Sequence, residues 1–218
     1  MNRYAVLASE YEHLSYPLGR NASSHGLVFS ERRENFVLHR AESSEHAKMV
    51  VGAGEGLSEH CSLPVGYVAS EDGEVFLVSR LSGKQPDASV LTSEEKSSFS
   101  VSVMRRLAAL HSQGFGCGGI SPEAVVYSGK EAKLSNPSAV FALDDSDSLF
   151  YEAVATMRAL AGKGYAKQSE LPKLASAYLS SSPICRHGVA AHMAKRKVNR
   201  HYHARELAAH AGRLLAYF

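Results

Sequence analysis

Three glycines near the middle of this chain have the type and spacing that could bind a phosphate group. Gly116, Gly118 and Gly119 follow a stretch whose apolar residues recur at helical spacing. Glycine has no Cβ and accepts positive φ angles, so its backbone N–H groups can approach an anion closely. Clusters of glycine more often form a tight turn. Both roles stay open for these residues, and the turn is the default interpretation.

Eleven histidines raise the question of a metal site. Five of them lie near the C-terminus: His187, His192, His201, His203 and His210. No pair forms an H-E-x-x-H motif or joins a cysteine at ligand spacing. The cysteines Cys61, Cys117 and Cys185 are widely spaced, which favours neither a disulfide framework nor a zinc knuckle. We therefore predict no metal site and a reducing, intracellular compartment.

Basic residues form a run shortly before the C-terminus, which Tyr202 interrupts. The run consists of Lys195, Arg196, Lys197, Arg200, His201, His203 and Arg205. Such a run could follow a nucleic-acid backbone, and its candidate contacts are Lys195, Arg196, Lys197 and Arg200. The alternative is the solvated face of a helix, which is the commoner origin of such a run and the preferred interpretation.

Composition sets the broad class of the protein. The 218 residues are 44% hydrophobic and 21% charged, which is typical of a globular chain with a sizeable core. A net charge of +2 is too small to indicate nucleic acid or membrane by itself. No apolar run reaches the 18 or so residues that a membrane span needs. We expect a soluble, cytoplasmic protein.

The first half of the chain has the patterns of β structure. Predicted strands are Leu14 to Leu18, Gly26 to Ser30, Asn35 to Arg40, Val65 to Ala69 and Glu74 to Arg80. The last two form a hairpin around Asp72-Gly73. A short helix is expected within Glu42 to Gly56, because glycines near its end weaken it.

The second half has helical patterns. A capped helix begins near Ser93, and a small hairpin joins Val125 to Tyr127 with Ala132 to Leu134. Further helices are predicted at Leu149 to Leu160, Ser169 to Leu179 and Arg186 to Phe218. A β-rich half followed by a helical half predicts an α+β fold of two unlike lobes.

The sequence from 107 to 126, LAALHSQGFGCGGISPEAVV, resembles the approach to the catalytic loop of protein kinases and their relatives. In that family a helix ending L-x-x-L-H-x-x-G leads into H-G-D-L-x-P-E-N, then a hairpin, then D-F-G or a variant. Here the hairpin is followed by KLSNPS at 133 to 138. The resemblance covers roughly residues 14 to 160, and the short chain is similar to compact Bud32-type and RIO-type kinases or to an aminoglycoside-phosphotransferase-like protein.

This resemblance implies a protein-kinase-like bilobal fold. The N-lobe, about residues 1 to 83, is expected to be small, antiparallel and β-rich. The C-lobe, about 84 to 218, is expected to be reduced and mostly helical, with both lobes in a single domain. An aspartate that anchors the family's catalytic loop from below would correspond to Asp147. Asp144 and Asp145 either solvate that region or supply a displaced carboxylate.

The family's catalytic positions are replaced in this chain. Gly119 lies where the family has its catalytic-loop aspartate, Ala124 where it has the asparagine that holds magnesium, and Asn136 where it has the metal-binding aspartate. His39 aligns with the strand lysine that contacts the α- and β-phosphates in the family, and Arg40 next to it points to the opposite face of the strand. His39 is either a nucleotide contact or a filled pocket position.

The resemblance also gives a set of nucleotide-binding candidates. These are Gly19, Gly26, His39, Ser79, Leu81 and Asn136. Candidates for the helix glutamate that pairs with the strand lysine are Glu45, His46, Glu55 and Glu59. ATP with magnesium is the cofactor to test, since no cofactor follows from the residues alone.

The loss of base, metal ligands and phosphate lysine together predicts a pseudokinase. We expect a non-catalytic binding or scaffold module that docks a protein partner and binds nucleotide weakly or not at all. One alternative is a divergent active kinase that recruits His39, Arg40, Asn136 and Asp144 or Asp145. Another is an RNA-associated adaptor of the Bud32 type. No membrane partner is expected.

Overall fold

The structure is a computed structural model. It describes residues 27–31, 34–57, 64–69, 73–80, 84–129, 131–134, 140–143, 145–196 and 203–215. The predicted strand Leu14 to Leu18 lies outside this part of the chain.

A four-stranded antiparallel sheet forms the N-terminal lobe. Its strands are β1 (Leu27–Glu31), β2 (Glu34–Arg40), β3 (Pro64–Ala69) and β4 (Val75–Arg80), in the order β1-β2-β4-β3. Helix α1 (Ser44–Leu57) connects β2 to β3 and packs on β3 and β4. The expected hairpin of β3 and β4 is confirmed, and Gly73 before β4 has a φ of +82° that favours glycine.

Register on the two central strands places polar residues on one face. His39 of β2 lies opposite Leu77 of β4, and Val37 lies opposite Ser79. Successive residues of a strand point to opposite faces, so His39 and Ser79 are diagonal neighbours on the same face of the sheet. Leu77 and Ser79 are both buried.

Five helices form most of the C-terminal lobe. They are α2 (Ser93–Ser112), α3 (Ser146–Gly162), α4 (Leu171–Ser181), α5 (Pro183–Lys195) and α6 (His203–Leu215). Thr92 caps α2 in a capping box with Glu95, which agrees with the predicted start. The hairpin β6 (Val125–Tyr127) and β7 (Ala132–Leu134) and the two-residue strands β5 (Phe115–Gly116) and β8 (Phe141–Ala142) lie between α2 and α3.

Two predicted helix bounds differ from the structure. Helix α1 runs for 14 residues through its glycines, because Ala47 and Val50 are fully buried and packing outweighs the weak propensity. The single helix predicted over Arg186 to Phe218 is wrong, since α5 ends at Lys195 and α6 begins at His203. The N-terminal Pro183 of α5 is a favourable first residue that the sequence interpretation missed.

One hydrophobic core joins the two lobes. It includes Leu77 from the sheet, Ala47 and Val50 from α1, and Phe99 and Leu107 from α2, all essentially inaccessible. His46 of α1 adds a polar link, because its Nε2 lies 2.8 Å from the carbonyl oxygen of Val140 before β8. Among the helices that the structure describes, none has the length and apolar character of a membrane span.

Candidate functional site

The loop that resembles a catalytic loop begins where α2 ends. After β5 the chain passes through Gly118 and Gly119, whose φ angles are +68° and +95°, and then enters a single 3-10 turn, Pro122–Ala124. Both glycines lie in the left-handed region that other residues avoid. The path of the loop therefore depends on glycine at positions 118 and 119.

Two side chains of helix α3 accept hydrogen bonds from backbone N–H groups of the loop. The Glu152 Oε2 atom accepts hydrogen bonds from the N–H of Cys117 at 2.9 Å and of Gly119 at 3.3 Å. Thr156 Oγ1 accepts another from the N–H of Ile120 at 2.8 Å. Because these donors point at α3, they are unavailable to a phosphate. The geometry favours the turn over the phosphate cradle for the glycine cluster.

A buried network supports the Glu152 carboxylate. His111 Nε2 lies 3.2 Å from Glu152 Oε2, and His111 Nδ1 lies 2.5 Å from the Tyr178 hydroxyl, which donates to the Leu149 carbonyl. Burial alone raises the pKa of Glu152, but the hydrogen bonds from His111 and the Cys117 N–H outweigh it and hold the pKa below its usual value. The loop is thus fixed to an ionised carboxylate at neutral pH.

Gly119, which the sequence resemblance aligns with a catalytic aspartate, is packed closely against α3. A Cβ atom there would lie 2.9 Å from the Ala155 Cβ and 3.3 Å from the Glu152 carbonyl oxygen. The distance to the Ala155 Cβ is a steric overlap and the distance to the Glu152 oxygen is a tight contact, and both atoms belong to α3. At Gly118, by contrast, a Cβ meets nothing within 4 Å.

Ala124, which the sequence resemblance aligns with a magnesium-binding asparagine, carries only a methyl group and ends the 3-10 turn. The neighbouring Glu123 carboxylate is engaged, with Oε1 at 2.6 Å from Lys163 Nζ and Oε2 accepting from the Ser121 hydroxyl. Gln85 Nε2 donates to the Glu123 carbonyl oxygen at 2.8 Å. This part of the loop ties the segment before α2 to the end of α3.

His39 and Ser79 are buried with unsatisfied polar atoms. His39 is fully inaccessible and Ser79 is 2% exposed. Neither ring nitrogen of His39 nor the Ser79 hydroxyl has a hydrogen-bond partner in the described part of the chain. Burial lowers the pKa of His39 to about 4, so the imidazole is neutral at pH 7. Neither interpretation from the sequence, a nucleotide contact or a filled pocket position, predicted a buried ring without hydrogen-bond partners.

No ion pair replaces the family's lysine–glutamate pair among the residues described around His39. Glu45 is exposed, His46 contacts the Val140 carbonyl oxygen, and Arg40 pairs with Glu74 at 2.9 Å. The side chain of Glu55 and the whole of Glu59 lie outside the described residues.

Asp147 is structural, as expected, but it does not anchor the loop as the resemblance implies. Its carboxylate accepts from Lys195 Nζ at 2.9 and 2.8 Å and lies 3.2 Å from His192 Nδ1, which ties α3 to α5. Those hydrogen bonds, from Lys195 first, hold the pKa of Asp147 below its usual value. Glu152 is the anchor that sequence reasoning missed. A carboxylate on the same helix as the buried residues Phe150, Ala153 and Val154 was the available signal.

Lys195 and Arg196, the two described residues among the four candidate nucleic-acid contacts, make contacts within the chain. Lys195 pairs with Asp147, and the Arg196 guanidinium lies 5.9 Å from the centroid of the Phe150 ring. The other predicted site residues lie outside the described part of the chain: Gly19, Gly26, Leu81, Asn136, Lys197 and Arg200.

Comparisons with known proteins show likeness of fold alone. No protein-family model matches the chain, and no curated protein matches it. A solved structure described as WaaP in complex with acyl carrier protein matches with a TM-score of 0.63 and 11% sequence identity. The match covers 98% of this chain and 92% of that chain. The fold is α+β and protein-kinase-like, with a small antiparallel sheet and a mostly helical lobe.

Proposed function

We propose that this kinase-like chain does not transfer phosphoryl groups and acts as a binding or scaffold module. The observation that carries the proposal is the packing of Gly119 against α3. A general base needs a side chain that reaches the substrate hydroxyl, and this backbone has neither the φ angle nor the space for one. The obstacle is therefore the shape of the loop as well as the residue type.

Two further positions support the same conclusion. The Ala124 side chain offers no oxygen or nitrogen for a metal ion, whereas phosphoryl transfer by protein kinases uses two divalent cations. His39 is neutral and inaccessible, so it supplies no positive charge to a nucleotide phosphate. Catalysis of phosphoryl transfer rests on positioned charge, and each of these positions lacks it.

A protein is the partner that we propose for this module. The similar structure of WaaP is a complex with acyl carrier protein, so that protein of like fold holds a protein partner. The RNA-adaptor hypothesis stays a prediction. It has less support because Lys195 and Arg196 are engaged with Asp147 and Phe150.

Two measurements together test the absence of catalysis. Thermal unfolding with ATP or ADP, with and without magnesium, detects nucleotide binding, and an assay of released phosphate detects turnover. We expect no magnesium-dependent rise in the unfolding midpoint at millimolar nucleotide. A nucleotide at 100 times its dissociation constant would stabilise the folded chain by about 2.7 kcal/mol, which is easily detected. A magnesium-dependent rise together with release of the γ-phosphate would overturn the proposal in favour of a divergent kinase.

Restoring the aspartate provides a second test. We expect Gly119→Asp to lower the unfolding midpoint and to gain no ATP hydrolysis. The double variant Gly119→Asp with Ala155→Gly is the matched comparison, since it removes the nearest clashing methyl group. A gain of ATP hydrolysis by the single variant would contradict the proposed reason for inactivity.

A further inference from the structure

A groove of about 690 Å³ lies where the end of α4 meets the beginnings of α5 and α6. Its volume falls within the range of small-molecule pockets, roughly 300 to 1,000 Å³. Three of its lining residues are apolar, three are basic and two are serines. They are Leu179, Ala190, Ala204, Arg186, His187, His203, Ser176 and Ser180.

Among the residues that the structure describes, the basic side chains of this groove have no acidic partner. No carboxylate is among the described lining residues. The side chains of Arg186, His187 and His203 make no hydrogen bond or ion pair with any other residue that the structure describes. Lys195, further along α5, is by contrast neutralised by Asp147. The groove therefore presents a guanidinium with its hydrogen-bonding capacity unused.

The surrounding sequence strengthens this positive field. From residue 171 to the C-terminus, Glu206 is the sole carboxylate side chain, while lysine or arginine occurs at eight positions. An uneven charge distribution of this kind raises the local concentration of anions. Leu179, Ala190 and Ala204 add apolar surface that a bare inorganic ion does not use.

We propose that this groove binds a small organic anion, in which one carboxylate, sulfonate or phosphate group is carried on an apolar body. Arg186 contacts the anionic group, since a guanidinium offers a planar pair of donors to such oxygens. The apolar residues of the groove contact the rest of the ligand. None of these residues belongs to the loop around Gly119, so the site and the absence of phosphoryl transfer can fail separately.

A fluorescence titration of the full chain with 8-anilinonaphthalene-1-sulfonate tests the site, because this probe joins a sulfonate to an apolar body. We expect saturable binding of one probe molecule. Decanoate should displace the probe, whereas 1-decanol at the same concentration should not. Absence of saturable binding, or equal displacement by decanoate and 1-decanol, would overturn the proposal.

Three variants locate the binding. Arg186→Gln should weaken probe affinity at least about tenfold, since a hydrogen bond to a charged group is lost. Ala190→Trp should abolish binding by filling the groove at unchanged charge. Arg213→Gln is the matched control, because it removes one positive charge from a separate groove between α4 and α6 and should leave affinity unchanged.

Unfolding midpoints of all three variants establish that each remains folded. Equal weakening by Arg186→Gln and Arg213→Gln would mean that net charge alone attracts the probe. Unchanged binding to folded Ala190→Trp would place the probe elsewhere. Either result would overturn the assignment of this groove.

Discussion

At the scale of single residues, the adjacent glycines Gly118 and Gly119 are required for different physical reasons. Gly118 and Gly119 both have positive φ, yet α3 touches only the space beside Gly119. The cost of a side chain at Gly118 is therefore conformational, whereas at Gly119 it includes steric overlap with Ala155. The sequence resemblance aligns Gly119 with a catalytic aspartate, but it could not predict that α3 packs against this position.

Alanine substitutions separate these two costs. We expect Gly118→Ala to lower the free energy of unfolding by about 1 kcal/mol, the price of a left-handed non-glycine residue. Gly119→Ala should cost about 1 to 3 kcal/mol more, because the added methyl overpacks against α3. Urea unfolding of both variants measures the difference. Equal losses would show that α3 moves aside at little cost.

His39 makes folding sensitive to acid. The unfolded chain binds a proton at this imidazole near pH 6.5, whereas the folded chain does so only near pH 4, because burial lowers the pKa. Stability is therefore lost as pH falls through this window, by up to about 3 kcal/mol. His39→Met fills the same space without titrating and should flatten the decline of stability between pH 7.5 and 4.5.

The control for this measurement is His187→Gln, at an exposed histidine without a described partner. Its profile should follow that of the unaltered chain. The pKa values of Glu152 and Asp147 are lowered in the folded chain, so their protonation also destabilises the fold in acid. The stability of His39→Met should therefore still decline with falling pH, but less steeply. An unchanged slope in His39→Met would contradict the assignment of the acid sensitivity to this residue.

At the scale of elements, prediction succeeded where local chemistry decides the structure. The strands around Gly73 and the start of α2 at its Thr92 cap follow from turn and capping residues. Glu152 was missed because a loop anchor is defined by contacts between residues 33 to 35 positions apart in sequence. Helix periodicity shows that Glu152 lies among buried neighbours, but not which N–H groups it accepts from.

Replacing the anchor should loosen the loop. In Glu152→Gln the amide cannot serve as an ionised acceptor for Cys117, Gly119 and His111 together. We expect amide hydrogen exchange at Cys117 and Gly119 to accelerate at least about tenfold, with smaller changes in β6 and β7. NMR or mass spectrometry measures these rates.

Glu94→Gln provides the comparison, since it removes an equal charge from the exposed first turn of α2. It should leave exchange in the loop unchanged. Comparable acceleration in both variants would show that general electrostatics, and not the anchor, protects these N–H groups.

At the scale of the whole molecule, the continuous core predicts one cooperative unit. Leu77 of the sheet and Leu160 of α3 belong to the same buried cluster. The chain contains no tryptophan, so single probes can be added cleanly. Tyr67→Trp in β3 and Tyr151→Trp in α3 replace partly exposed tyrosines and report on the two lobes separately.

Unfolding curves from the two probes should coincide, as a single domain requires. Leu77→Ala and Leu160→Ala should each lower the free energy of unfolding by about 2 to 5 kcal/mol and shift both probes together. Two separate transitions, or a shift confined to one probe, would show that the lobes fold independently.

The contact between Gly119 and α3 also bears on how a carboxylate could arise at this position through evolution. A glycine codon can become an aspartate codon by one base change, so the genetic distance to a catalytic carboxylate is minimal. The structural change is larger, because the Ala155 methyl group must move or be removed to accommodate the new side chain. A lineage carrying this packing would cross a less stable intermediate before any benefit arose. Selection for stability would therefore tend to retain glycine at position 119.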